Sequence, residues 1–220
     1  KQATAPTSRS DLQPTRIQAK TARNVVDLLD ELHYEHRKLD DALSGQIFDR
    51  YLKDLDGQRL YFLASDIQSF EPWRPSFDNA LKRSDVKGAF LIFNRYQQRA
   101  VERLNFVITE IDKGIGRMDF NSADEMEIDR EKSPWATTRA ELDDLWRKRL
   151  KAAALSLRLA GKTDAEIQKI LGKRYRSQLN NLMRTKSDDA FQVFMNSFSE
   201  TYDPHTEYFS PRTQENFNIN

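Results

Sequence analysis

Apolar side chains return every fourth residue at Leu39, Leu43, Ile47, Tyr51 and Leu55, a spacing that lines one face of an α-helix. Gly57 stands where that helix should end. A similar pattern at Ile17, Val25, Leu28, Leu29 and Leu32 predicts an earlier helix from about Thr15. Phe90, Phe93, Val101, Leu104, Val107, Ile108 and Ile111 predict a third, with Ser84-Asp85 as its cap. That segment is roughly 25 residues, or about 38 Å at 1.5 Å per residue, and is the expected spine of the domain. Gly and Pro number only seven each in 220 residues, while Leu, Ala, Gln and the charged residues dominate. Such a composition favours helix, and a 38% hydrophobic content is enough to fill a core. The predicted class is all-α: an irregular multi-helix domain with an extended exit segment at its C-terminal end.

Punctuation between the helices refines this picture. Residues 1–14 are rich in Ser, Thr, Pro and Gln, so ordering them would bury too little surface to offset the entropy lost, and they read as a flexible leader. The helical domain is expected over 15–202. Leu60 to Phe77 mixes aromatic residues with Pro72 and Pro75, which predicts short helices and turns under a core. Gly114-Ile115-Gly116 breaks the long helix, and the acidic stretch from Asp119 to Ser133 reads as a surface loop or arm. Thr138 with Glu141 and Thr163 with Glu166 have capping-box spacing, so two helices start there and form a hairpin around Gly161. The first is expected to bury Leu142, Leu145, Trp146, Ala153 and Leu157, and the second Ile167, Ile170, Leu171, Leu179 and Leu182. A last helix, capped by Ser187 with Asp188 and Asp189 at its positive end, buries Phe191, Phe194, Met195, Phe198 and Tyr202. No fixed-period repeat is present, which argues against a solenoid.

Pro204 and Pro211 then stop helix, since each fixes φ and removes an N–H. The helical domain should end here, with residues 203–220 leading out of it.

The search for chemistry finds little. Zero cysteines exclude disulfides, thiol catalysis and cysteine-based zinc sites. His33 and His36, beside Glu31 and Glu35, are three residues apart, but no third metal ligand is legible, so surface polarity is the expected role and no metal or cofactor is expected. Asp54-Leu55-Asp56-Gly57 lacks the alternating oxygen ligands of a calcium loop and reads as a helix end. No phosphate-binding glycine loop or nucleophile elbow occurs, so no catalytic residue is assigned. Paired carboxylates at Asp143-Asp144 and Asp188-Asp189 sit at helix starts, where the macrodipole accounts for them.

The 35 basic and 34 acidic residues nearly cancel, so no global field drives the chain onto nucleic acid or an anionic membrane. The charge is nonetheless segregated: 13 basic against 5 acidic residues between Arg139 and Lys186, and 9 acidic against 4 basic between Glu102 and Glu131. Lys148, Arg149, Lys151, Arg158, Lys173, Arg174 and Arg176 are the candidates for a basic partner-binding face. Aromatic residues are not interleaved among them for base stacking, so the expected partner is not nucleic acid; a solvated surface, or docking against the acidic arm or an acidic protein, accounts for them. No apolar run is long enough to span a membrane. The start at Lys1-Gln2, without Met or a signal-like apolar core, reads as a processed or trimmed chain.

The exit segment carries a more specific wording. Asp203, Pro204, His205, Thr206, Tyr208, Ser210 and Pro211, continued by Arg212, Gln214, Glu215 and Phe217, follow one another in an order that resembles the junction leading into the PDZ and protease domains of the carboxy-terminal processing proteases. With some 200 helical residues ahead of it and the stretch Leu60-Tyr61-Phe62-Leu63-Ala64-Ser65-Asp66-Ile67, the chain resembles the tail-specific branch of that family. The resemblance implies a periplasmic serine endopeptidase whose Ser/Lys dyad lies in a separate downstream domain, so no residue here inherits a catalytic role. It implies a structural role for the junction residues and a wall-building role for the helices. The implied partners are the chain's own PDZ and protease domains, a tetratricopeptide-type lipoprotein adaptor, and protein substrates with free C-termini. Without the resemblance, the residues describe a free-standing helical binding module whose basic face takes an acidic protein or nucleic acid. An autonomous enzyme resting on His33 and His36 is the third and least supported reading.

Overall fold

The computed structural model describes residues 10–32, 38–202 and 206–210, and among them eight α-helices form with no strand. They are α1 (Arg16–Leu32), α2 (Asp41–Asp56), α3 (Ala64–Phe70), α4 (Phe77–Lys82), α5 (Lys87–Asp112), α6 (Arg139–Leu159), α7 (Asp164–Arg184) and α8 (Ser187–Tyr202). The all-α class is therefore as the sequence implies. Short 3₁₀ turns at Glu71–Trp73 and Ile115–Arg117 occupy the proline-rich and glycine-flanked breaks.

Most helix ends follow local chemistry. Asp40 accepts the Leu43 N–H at 3.1 Å and opens α2. Thr163 and Glu166 exchange backbone bonds as a reciprocal box, Thr163 N–H to Glu166 Oε2 at 2.9 Å and Glu166 N–H to Thr163 Oγ1 at 3.4 Å. An unforeseen box of the same kind opens α1, where the Thr15 N–H donates to Gln18 Oε1 at 2.9 Å and the Gln18 N–H to Thr15 Oγ1 at 3.1 Å. At the end of α6, Gly161 takes φ +81°, and Lys162 N–H to Leu157 O (3.1 Å) with Gly161 N–H to Arg158 O (3.0 Å) completes a Schellman closure.

Three expected helix starts hold only in part. α5 begins at Lys87, whose N–H donates to Asp85 Oδ1 at 2.9 Å, while Ser84 adopts φ +58° in the turn before it. Glu141 reaches past the cap residue Thr138 to the Thr137 N–H at 2.8 Å and hydroxyl at 2.6 Å, so only half of that box is reciprocal. Ser187 is the first residue of α8 rather than its cap; Asp189 accepts the Lys186 N–H at 2.7 Å, and the Ser187 hydroxyl donates to Gln13 O at 2.9 Å.

The chain packs as two units. One comprises Gln58–Ser65 and Tyr96–Arg184. Its core gathers Leu104, Val107 and Ile111 of α5, Leu142, Trp146 and Leu150 of α6, and Ile167, Leu171 and Tyr175 of α7. Ala153, Leu157 and Leu182, expected inside, pack partly exposed against this core. Leu60 to Leu63 threads beneath it: Trp146 Nε1 donates to Leu60 O at 2.8 Å, and Ala64 N–H to Ala136 O at 2.8 Å closes an isolated bridge.

The second unit comprises Ser10–Gly57, Asp66–Arg95 and the described residues from Thr185 onward. α2 and α8 make its principal contact, and α4 and α1 close over them. The centre is aromatic: the Phe194 ring lies 5.2 Å from Tyr51 and 5.1 Å from Phe77, with Phe48 a further 6.3 Å from Phe77. The fully buried Ser44 hydroxyl accepts the Phe77 N–H at 2.8 Å and donates to Arg74 O at 2.6 Å, which ties α2 to the turn ahead of α4. Tyr51 donates its hydroxyl to Ala89 O at 3.0 Å, and burial pushes its pKa far above the usual tyrosine range. Residues 10–14, expected within the flexible leader, are partly held: Leu12 exchanges bonds of 2.9 Å in both directions with the Asn94 amide.

One close approach here has a measurable consequence. A Cβ on Gly88 would fall 2.4 Å from Trp73 Cε3, too close without displacing the indole, which stacks on Phe77 at 6.2 Å. Gly88→Ala gains about 1 kcal/mol in helix propensity, and the overlap costs about 1–3 kcal/mol. A net loss of stability is expected in thermal unfolding, and in a Trp73→Ala background the same change should become neutral or stabilising. An unchanged or higher Tm for Gly88→Ala alone would refute the close approach.

Candidate functional site

Segregated charge folds back on itself within the first unit. The backbone between the 3₁₀ turn at Ile115–Arg117 and α6 carries the acidic arm, helix-free from Asp119 to Ser133. α6 and α7 carry the seven basic candidates. Lys151 is nearly buried, and its Nζ donates to Asp124 Oδ2 at 2.8 Å and to the Ser122 hydroxyl. Arg147 joins the same Asp124 oxygen at 3.2 Å and holds Asp144 at 2.6 Å. Lys148 pairs with Asp144 at 2.8 Å, and Arg149 lies over the Trp146 ring at 5.7 Å. Arg158 pairs with Asp164 at 2.6 Å and covers Phe120 at 4.0 Å, and Arg176 reaches Asp112 at 2.5 Å. Lys173 and Arg174 stay exposed on α7, with no carboxylate in ion-pair range among the described residues.

Sequence reasoning missed Arg147 and Ser122, although Arg147 opens the run Arg147-Lys148-Arg149 and stands three residues after Asp144. Their effect is electrostatic. Lys151 first, then Arg147 and the Ser122 hydroxyl, hold the Asp124 carboxyl well below the usual aspartate range. A carboxyl whose folded pKa is depressed stabilises the fold fully above its unfolded pKa of about 4 and loses that contribution as pH falls through the folded value. Asp124→Asn should therefore flatten the fall of Tm with acidification below pH ~4. Parallel Tm curves for wild type and variant would show that this carboxylate does not hold the arm.

Of the junction residues, Thr206, Tyr208 and Ser210 are described; Asp203, Pro204, His205, Pro211 and Phe217 lie outside the described residues. The segment runs along α8. Asn196 Oδ1 accepts the Tyr208 N–H at 2.6 Å, and Gln192 Oε1 accepts the Ser210 N–H at 3.1 Å. These amides stand one helical turn apart and catch N–H groups two residues apart in extended chain, whose spacings of about 6 and 7 Å nearly match. The Tyr208 ring meets Phe191 edge-on at 5.4 Å, and burial raises its pKa. Ser210 is buried and Phe209 half exposed.

His33, Glu35 and His36 lie outside the described residues, and Glu31 is exposed near the end of α1. No group of acidic, histidine or cysteine side chains able to hold a metal occurs among the described residues. Asp54 is engaged by Arg50 at 3.1 Å and by the Ser197 hydroxyl at 2.7 Å, and Asp56 is buried at the end of α2. Among the described residues, no helix is long and apolar enough to cross a membrane.

Comparison with known proteins bears on the junction and on the helices ahead of it. The family described as "Tail specific protease N-terminal domain" matches residues 25–212, which takes in α2 to α8, the C-terminal half of α1 and the described exit segment. A protein of Haemophilus influenzae named "Tail-specific protease" is 39% identical over 191 residues, covering 86% of this chain but 27% of the relative. The chain thus spans about a quarter of that relative's length. With a match of that extent, the chain belongs to the tail-specific protease N-terminal domain family.

Proposed function

We propose that this chain is the non-catalytic N-terminal helical domain of a periplasmic carboxy-terminal processing serine endopeptidase, where it helps wall in the proteolytic centre and offers surface to an adaptor. The observation that supports the reading is the family match over residues 25–212, joined to a named protease of which the chain covers 27%. In this reading a downstream PDZ domain binds the substrate's free C-terminus and a Ser/Lys dyad beyond this sequence performs the cleavage. The physical motive is steric: an enzyme that degrades from chain ends must keep folded bystanders from its nucleophile, and packed helices do so. A tetratricopeptide-type lipoprotein is the proposed adaptor. Lys173 and Arg174, exposed on α7, are the basic candidates an acidic partner surface would meet first.

The test is the natural polypeptide. Antibody raised against this chain should detect, in the periplasmic fraction of the source cells, a band well above 25.7 kDa. Its peptides should continue into PDZ and protease sequence, and that polypeptide, unlike this chain alone, should hydrolyse an unfolded substrate with a free C-terminus. A product of this chain's own mass, or hydrolysis by the isolated chain, would overturn the proposal.

A further inference from the structure

A tyrosine whose ring is buried usually finds a hydrogen-bond partner for its hydroxyl. Tyr175 of α7 does not. The residue is 9% exposed and its ring packs into the core of the first unit, 6.5 Å from Trp146, yet its hydroxyl makes no hydrogen bond among the described residues. The oxygen is not sealed away either. Among the described residues, the side-chain atoms both closed to solvent and without a partner are Asp78 Oδ1, Arg103 Nε and Arg130 Nε, so the Tyr175 hydroxyl opens to solvent.

Two guanidinium groups flank it. Arg149 of α6 lies 5.7 Å over the Trp146 ring, and that ring is fixed by its N–H bond to Leu60 O at 2.8 Å. Arg174 directly precedes Tyr175 on α7. Burial raises the Tyr175 pKa, and the charges of Arg149 and then Arg174 act to lower it, so both guanidiniums stand within electrostatic reach of a hydroxyl that keeps its proton at neutral pH. What sets this pair apart is the missing carboxylate. Arg147, Lys148, Lys151, Arg158 and Arg176 each have an aspartate within 3.2 Å. Arg149 and Arg174 have none in ion-pair range among the described residues, and α7 carries no acidic residue from Ile167 to its end at Arg184.

We propose that Arg149, Arg174 and the Tyr175 hydroxyl form a binding site for a phosphoryl group. Each guanidinium offers N–H donors in a planar fork that matches phosphate oxygens, and the hydroxyl adds one more donor between them. A phosphate monoester carries about −1.5 to −2 charges at pH 7 and three acceptor oxygens, which suits two unpaired cations and a hydroxyl. A carboxylate brings a single charge and two oxygens, and so engages only part of the set. Free phosphate and a phosphomonoester lipid headgroup present the same oxygens, and the experiment below separates them. The proposal goes beyond the protease reading and does not rest on it, since it concerns only side chains of this chain.

The experiment is titration of the ¹⁵N-labelled chain with inorganic phosphate at constant ionic strength, read from the arginine Nε–H resonances. Those of Arg149 and Arg174 should shift and saturate, and acetate should bind roughly tenfold more weakly. Arg149→Met, which keeps an apolar stem over Trp146, should weaken phosphate by about tenfold or more. Tyr175→Phe keeps the ring and loses only a hydroxyl without a partner, so affinity should fall about two- to tenfold at unchanged Tm. Arg184→Met removes the same charge about 15 Å further along α7 and should leave the affinity unchanged. Phosphatidate vesicles that displace free phosphate from these residues identify a headgroup as the ligand, and vesicles without effect identify free phosphate; the site stands in both cases. A phosphate response that does not saturate, equal affinity for acetate, or an equal loss in Arg184→Met would overturn the proposal.

Discussion

Replacing Phe194 by alanine is expected to cost about 3–5 kcal/mol of unfolding free energy, one of the two largest single-site losses anticipated in this protein. The ring is 1% exposed and joins α8 to α2 and α4, meeting Tyr51 of α2 edge-on and Phe77 of α4 at a tilt. Truncation removes the transfer free energy of the ring and leaves a cavity walled by two other aromatic side chains. Neither wall collapses easily: the Tyr51 hydroxyl is held by Ala89 O, and the Phe77 backbone N–H is held by Ser44. Phe194→Leu fills most of the space and loses the ring contacts, worth about 0.5–1.5 kcal/mol each, so it should fall between wild type and alanine. Urea unfolding followed by far-UV circular dichroism separates these cases, and a loss under about 1 kcal/mol for alanine would contradict the packing described, given a usual total of about 5–15 kcal/mol.

That Phe194 would be buried is legible in its spacing with Phe191, Met195, Phe198 and Tyr202; its neighbours are not. Spacing along one helix reports which face is apolar and says nothing of what covers that face. The same limit explains Ser44, a fully buried hydroxyl on the apolar side of α2, whose two backbone partners lie some 30 residues away and carry no local signal. Caps were legible where both partners sit within one turn, as at Thr163 and Glu166. They slipped where the partner sat one residue off: Thr137 rather than Thr138 donates its N–H to the Glu141 carboxylate, and Lys186 rather than Ser187 precedes α8 and donates to Asp189. The basic face was legible as composition, since 13 basic residues between Arg139 and Lys186 stand out in any window. Its internal pairing with Asp124 was not, because Lys151 and Asp124 are 27 residues apart and meet only once the arm folds back onto α6. Arg130 and Glu127 read as solvated charges until the backbone of the arm is fixed by Gln58 and Arg59.

Trp146 is the corresponding test of the other unit, and its effect can be divided between packing and polarity. The side chain is 3% exposed, lies 5.6 Å from Tyr61 and 6.5 Å from Tyr175, and donates its indole N–H to Leu60 O. Trp146→Ala should cost about 3–5 kcal/mol through the cavity it leaves. Trp146→Phe keeps most of the ring but removes the donor, and a carbonyl left unsatisfied costs about 1–3 kcal/mol. The phenylalanine variant should therefore lose a substantial part of what alanine loses, and its damage should concentrate where the acceptor sits. Hydrogen exchange reads this directly. In Trp146→Phe the Ala64 N–H, which pairs with Ala136 O just beyond the Leu60 to Leu63 stretch, should exchange faster, while amides in the middle of α7 keep more of their protection. If α7 and Ala64 lose protection equally, the indole acts through bulk alone, and its hydrogen bond does not hold the Leu60 to Leu63 stretch beneath α6.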